Sequence, residues 1–154
     1  MHVRNSAKAV IIMDEKILLI KKHDEEGNYY LFPGGGQDHG ETLHEALVRE
    51  CIEEIGQPAE IGELLYIREY IGKNHEFSSK HSDIHQVEYY FACKLVDGVY
   101  LNQLPANPDE NQIDVVWLPI DDIFHYNVYP KELRHHIIKL ARNEKSPVYL
   151  GDIN

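Results

Sequence analysis

Three glutamates, Glu50, Glu53 and Glu54, stand at spacing i, i+3 and i+4 in a stretch with helical patterning, so their carboxylates fall on one side of a helix. Like charges placed this way repel by roughly a few tenths of a kcal/mol per pair, and something should compensate them. A divalent cation does so directly, because Mg2+ or Mn2+ takes carboxylate oxygens and shares phosphate oxygens. For an isolated Glu-x-x-Glu-Glu the ordinary reading is a solvated acidic face. The residues upstream change that reading. Pro33-Gly34-Gly35-Gly36 directly follows an expected strand at residues 29–32. Glycines there permit positive φ and a close approach of backbone to an ion or a phosphate.

The helix that carries the glutamates has clear ends. Thr42 followed by Glu45 is a capping box, and Gly56 with Pro58 stops the helix. At about 100° per residue, Val48, Cys51, Ile52 and Ile55 are expected to form the packed stripe, with Glu50, Glu53 and Glu54 nearly opposite.

Taken together, Gly35, five residues, Glu41, seven residues, then Arg49-Glu50-Cys51-Ile52-Glu53-Glu54-Ile55-Gly56-Gln57 strongly resembles the Nudix box of the MutT-like hydrolases. Cys51 and Gln57 stand where an aliphatic residue is usual, and Cys51 keeps the stripe apolar. The resemblance implies an α/β fold, the Nudix α/β/α sandwich with a mixed sheet and a loop-helix-loop box. It implies Glu50, Glu53 and Glu54 as ligands of Mg2+ or Mn2+, with a backbone carbonyl near Gly34 adding another. Arg49 and Glu41 are implied as support, the guanidinium orienting carboxylates through paired hydrogen bonds. The implied activity is attack of water on a phosphorus of a nucleoside diphosphate derivative. In relatives a proline about sixteen residues past the box accompanies ADP-ribose use, and a tyrosine near there accompanies dinucleoside polyphosphate use. Lys73, Asn74 and His75 fill that zone and favour neither.

Family members commonly add an acid from a later loop. Glu110, seven residues before Trp117, is the first choice and Glu88 the second. Gly35 and Gly36 are expected against substrate, as is Tyr30, which with Phe32 flanks the glycine run; Tyr126 and Tyr129 are further candidates for stacking on a base. His81 and His85 have a zinc-like spacing but span a loop and a strand start, where a metal role is not expected.

These residues need a scaffold. Strands are expected at residues 9–13 and 17–20 as a hairpin, and at 61–71, 86–96 and 115–118, with a polar loop over 72–84. Pro130 is expected to open a late helix carrying Leu133, Ile137, Leu140 and Ala141. At 154 residues with 43% hydrophobic and 27% charged residues, a single unit over 1–154 is expected. The net charge of -11 argues against tracking a nucleic-acid backbone, and the resemblance implies a small nucleotide-like substrate. With two cysteines, no signal-length apolar run and no membrane-spanning stretch, a cytoplasmic protein without membrane association is expected, with a homodimer left open. Two rivals share the fold. A nucleotide-sensing module that does not hydrolyse should have lost box carboxylates, and all are present. An isoprenoid diphosphate isomerase would want a catalytic cysteine and a longer chain.

Overall fold

The computed structural model describes residues 2–96 and 112–154. Period-two alternation builds its sheet. Strand β1 (Val3–Met13) turns Ala7, Ala9 and Ile11 to one face and Val10 to the other. Strand β2 (Lys16–Asp24) divides Leu18 and Ile20 from Ile17 and Leu19 in the same way. The two form the expected hairpin, closed by Asp14 and Glu15 at φ 52° and 62° with Met13 opposite Lys16. However, β1 begins at Val3, earlier than its apolar run announces.

Strands β3 (Gly27–Leu31) and β4 (Gly34–Gly36) precede helix α1 (Leu43–Ile55); β5 (Ala59–Ile71), the short helix α2 (Ser78–His81) and β6 (His85–Leu95) follow. After the undescribed segment come β7 (Gln112–Pro119), β8 (Val128–Tyr129), α3 (Leu133–Ala141) and β9 (Tyr149–Asp152). The strand order is β8-β3-β2-β1-β6-β5-β9, with β4 also on β1 and β7 also on β2. The pairs β1–β6, β3–β8 and β5–β9 are parallel and the rest antiparallel, which gives the mixed sheet.

Helix α1 covers the face made by Ala7, Ala9, Ile11, Leu18, Ile20, Phe91 and Cys93. Helix α3 covers the other, where Leu133 and Ile137 meet Leu19, Tyr66, Tyr90 and Val128. This is the expected Nudix sandwich of helix, sheet and helix. Leu47 is fully buried in the α1 layer, a contribution of about 1.5–3 kcal/mol.

Three local expectations change. Residues 72–84 hold a 3-10 turn (Gly72–Asn74) and α2 rather than plain loop. The late helix starts at Leu133, whose amide bonds the Pro130 carbonyl at 3.0 Å, so Pro130 sits just ahead of it. On α1 the buried residues are Ala46, Leu47, Cys51, Glu54 and Ile55, whereas Ile52 is 40% exposed. The packed stripe centres on Leu47 and Cys51, a quarter-turn from the expected one, and this draws Glu54 inward. Among the described residues, no helix is long and apolar enough to cross a membrane.

Candidate functional site

The glycine run is a strand rather than a turn, pairing antiparallel with β1 so that Ser6, Ala7 and Lys8 face Gly36, Gly35 and Gly34. Each glycine lacks a β-carbon for a different reason. At Gly34, where φ is 129°, a Cβ would lie 2.0 Å from the Ala7 carbonyl oxygen. At Gly35 it would meet the Glu50 carboxylate, 2.6 Å from Cδ. At Gly36 it would lie 2.1 Å from Arg4 Nη2. Positive φ therefore belongs to Gly34; Gly35 lies outside that region, and its constraint is the room that Glu50 needs. The close backbone approach expected of this run is made by a carboxylate on one side and a guanidinium on the other.

Helix α1 presents its acids to this strand. Thr42 and Glu45 form the expected capping box, and Gly56 caps the far end at φ 83°. Arg49 lies at the centre. Its Nε and Nη2 donate to the two Glu41 oxygens at 3.2 and 2.6 Å, a bidentate fork. Nη1 donates to Glu50 Oε1 at 2.9 Å, Nη2 also donates to the Gly36 carbonyl at 3.0 Å, and Glu53 Oε1 lies 3.5 Å from Nη1. The hydrogen bonds from Arg49, joined by the Asp38 amide, hold the Glu41 carboxyl below its ordinary range. Those to Glu41 and Glu50 outweigh burial and raise Arg49 further still. The Gly34 amide donates to Glu54 Oε1 at 2.8 Å, and Glu54 is only 3% exposed.

A cleft of about 360 Å³ opens beside Glu50 and Glu54, lined with them by Gly34, Gly35, Gly36, Arg4, Ser6, Lys8, Lys22, Leu31, Phe32 and Gln86. A larger, more open apolar hollow of about 620 Å³ lies on the outer side of α1 around His44, Val48 and Ile52. It touches Glu53 but neither Glu50 nor the glycine strand, so the smaller cleft is the candidate site.

The donors available there are all oxygen, which suits Mg2+ or Mn2+ rather than zinc. The recess at Gly35 that a Cβ would fill holds the Glu50 carboxylate at the cleft wall, and in this respect the residues fit a hard cation. Among the described residues, no three His, Cys, Asp or Glu side chains converge on one point. Glu50 and Glu53 lean on Arg49, and Glu54 on the Gly34 amide.

Other expected residues fall elsewhere. Tyr30 is 8% exposed and packs edge-on against Tyr126 at 5.5 Å in the core under α3, so it does not line the cleft. Strand parity explains this, since Leu31 takes the cleft side and Tyr30 the core side. Tyr129 meets Tyr29 and Phe77 edge-on at 6.3 and 5.9 Å. Glu88 is 4% exposed and accepts from Arg68 Nε at 2.7 Å, Gln86 Nε2 at 2.6 Å and Tyr90 at 2.5 Å. Burial alone would raise its carboxyl, but the Arg68 and Lys8 charges and the hydrogen bonds bring it to about 2. Glu110 lies outside the described residues. His81 bonds Tyr70 and His85 bonds Glu69, so each histidine has a separate partner. Cys51 and Cys93 are buried, and burial raises both thiols, Cys93 to about 12. Neither is placed as a nucleophile.

Sequence reasoning missed Arg4, Lys8, Lys22 and Gln86. Alternation of Arg4, Ser6 and Lys8 with residues of the other face was the available signal, hidden because this end of β1 is polar.

A family profile described as "NUDIX domain" matches residues 3–140. The chain is similar to nucleoside diphosphate-linked moiety X motif 6 of Xenopus laevis, 35% identical over 95 residues, spanning 61% of this chain and 41% of that protein. It is also similar to an RNA pyrophosphohydrolase of Campylobacter jejuni, 32% identical over 130 residues, or 78% of this chain and 80% of that one. Among solved structures, a NUDIX hydrolase from Nitrosomonas europaea superposes with a TM-score of 0.73 at 19% identity, covering 96% and 94% of the two chains. At that identity the likeness concerns the fold.

Proposed function

This chain belongs to the NUDIX family of pyrophosphohydrolases, and from that premise we propose that it cuts a phosphoanhydride bond in a nucleoside diphosphate derivative with a divalent cation, Mg2+ or Mn2+. The observation that carries the reading is the pair of box carboxylates at the cleft wall, Glu50 and Glu54, with the Gly34 amide fixing Glu54 and Arg49 tying Glu50 to Glu41 and Glu53 beside it. In this reading Glu50, Glu53 and Glu54 hold the cation with the Gly34 carbonyl. When bound, the cation supplies charge neutralisation at the phosphoryl oxygens and a more acidic water. Arg49 and Glu41 are positioning residues, since their fork fixes the guanidinium that holds Glu50 at the cleft wall and Glu53 beside it. Gly35 and Gly36, expected against substrate, act here by leaving room for the Glu50 carboxylate and the Arg4 guanidinium. Glu110 is the acid that accepts the proton of the attacking water.

The relative named an RNA pyrophosphohydrolase suggests one form of substrate, a phosphorylated end. An end-directed activity needs no contacts along a nucleic-acid backbone, so it is compatible with a net charge of -11. The test is phosphate release from a panel of nucleoside diphosphate derivatives with Mg2+ or Mn2+, for the wild type, Glu53→Gln and Glu54→Gln. Turnover should require the cation, and each variant should lose orders of magnitude in kcat while remaining folded. Full turnover in excess EDTA, or in either variant, refutes the assignment.

A further inference from the structure

Two neutral side chains line the cleft without serving the box, Ser6 and Gln86. Strands β1 and β6 run parallel, and register sets Arg4 beside Gln86 and Ser6 beside Glu88. Ser6 is only 2% exposed and faces Gly36 on its other side. Among the described residues its hydroxyl makes no hydrogen bond. A buried hydroxyl is ordinarily paired, and leaving it unpaired is costly. Ser6 lies on the cleft lining, where an incoming group can supply the partner.

Gln86 is oriented from behind. Its Nε2 donates to Glu88 Oε2 at 2.6 Å. The Glu88 carboxyl, held down to about 2, is ionised at neutral pH and has no proton to offer, so only the NH2 end of the Gln86 amide can face it. That fixes the direction of the amide. Gln86 Oε1 is the open end, and among the described residues it accepts no hydrogen bond. Lys8 and Arg68 both act on Glu88, so the charge behind this wall is balanced within the protein and the wall itself is neutral.

We infer that Ser6 and Gln86 hold the nucleoside of the substrate, with Gln86 Oε1 accepting from an N–H or O–H that the nucleoside presents and the Ser6 hydroxyl bonding beside it. The inference rests on the hydrolase reading above. Position favours the nucleoside over the phosphates. Lys8 marks the level of Gly34, whose amide holds Glu54, whereas Gln86 lies at the level of Arg4. The two levels are roughly 13 Å apart along β1 at about 3.3 Å per residue. The chemistry agrees, because an ionised phosphate is an acceptor with no proton for Gln86 Oε1, while a nucleoside carries amino and hydroxyl donors. An acceptor locked in one direction discriminates, since a substrate without the donor leaves it desolvated and unpaired.

The test measures kcat/KM for nucleoside diphosphate derivatives with Mg2+, and calorimetric Kd for their methylene-bridged analogues. One arm compares adenosine, guanosine and cytidine compounds with the same compounds lacking the exocyclic amino group. The other compares ribose with its 2′-deoxy and 3′-deoxy forms. The wild type should favour the donor-bearing member of at least one pair by about tenfold or more in both readouts, and the arm in which this occurs tells base from sugar. Gln86→Met keeps the length of the side chain and removes the acceptor, and it should bring that ratio close to one. Ser6→Ala should weaken binding of the preferred compound by about fivefold, while its melting temperature holds or rises because an unpaired buried hydroxyl is gone. A wild type that discriminates within no pair, or a Gln86→Met variant that keeps the wild-type ratio, overturns the inference, and a Ser6→Ala variant that binds as tightly as the wild type removes Ser6 from the site. Metal-dependent turnover in any of these cases leaves the hydrolase reading standing. If the wild type turns over no compound and binds no analogue, the hydrolase reading fails and this inference fails with it.

Discussion

Replacing Gly35 by alanine asks whether the glycine strand exists to hold a carboxylate. The new Cβ would stand 2.6, 2.7 and 2.8 Å from Cδ, Oε1 and Oε2 of Glu50. Carbon contacts settle near 3.5 Å or more, so the carboxylate must retreat by about 1 Å. Glu50 Oε1 accepts from Arg49 at 2.9 Å, and the retreat either breaks that bond or pulls Arg49 from Glu41 and the Gly36 carbonyl. The stability change should be small. Arg49 has a side chain 31% exposed, so water replaces much of what is lost, and alanine restrains the unfolded chain more than glycine. A net change under about 1 kcal/mol moves the melting temperature by less than about 4 °C. Activity should fall far more, because a 1 Å displacement in a catalytic site costs on the order of 10² in rate. Gly34→Ala is the contrasting variant, since its Cβ meets the Ala7 carbonyl at 2.0 Å and φ is 129°, so the fold itself should suffer by several kcal/mol. Calorimetry beside kcat/KM at saturating Mg2+ separates the two. Unchanged kinetics in Gly35→Ala, or a melting loss equal to that of Gly34→Ala, would refute the reasoning.

Other variants probe the surrounding groups. Glu88→Gln leaves Arg68 buried against a neutral partner, so chemical denaturation at pH 7 should show a loss of about 3–5 kcal/mol. Because the Glu88 carboxyl is depressed from 4.5 to about 2, its contribution is present above about pH 4.5 and disappears as pH falls toward 2. The wild type and variant should therefore converge in stability at acid pH, and a constant gap would count against the ion pair. Arg49→Lys removes the fork on Glu41, so kcat should drop by about 10-fold or more. NMR titration should then find Glu41 closer to its ordinary range, and an unshifted Glu41 would contradict the assigned cause. Glu110→Gln should cut kcat by roughly 10² to 10⁴ with little change in melting temperature. If Glu88→Gln alone reduces kcat at pH 7 in protein shown to be folded, the late acid has been misassigned.

The box and its helix were legible because their determinants are contiguous. Thr42, Glu45 and Gly56 mark the ends by local hydrogen bonding, and that chemistry reads the same in sequence as in space. The stripe was read a quarter-turn off because Ala46 and Leu47 were left out of it, and with them the reason why Glu54 is buried. Tyr30 was placed in the site by nearness along the chain, whereas strand parity puts its neighbour Leu31 there. The cationic wall was not legible. Arg4, Lys8, Lys22 and Gln86 come together only through the β1–β6 and β1–β2 pairings, which no single stretch of sequence encodes.

Gly34, Gly35 and Gly36 are one residue type serving three different causes. In a strand successive positions face opposite sides, so neighbouring glycines cannot all serve one ligand. Gly34 admits the β1 backbone, Gly35 admits Glu50 from the helix side, and Gly36 admits Arg4 from the other. The Gly36 carbonyl also accepts from Arg49, so one residue lies between two guanidiniums, one oriented by acids and one without an acid partner among the described residues. That asymmetry separates their roles. A guanidinium already forked to Glu41 can shape the carboxylates but has little left for an incoming anion. The site thus has an acid-facing arginine that sets the geometry of the proposed cation ligands and, on the other side of a strand kept bare of side chains, a second arginine seated on Gly36.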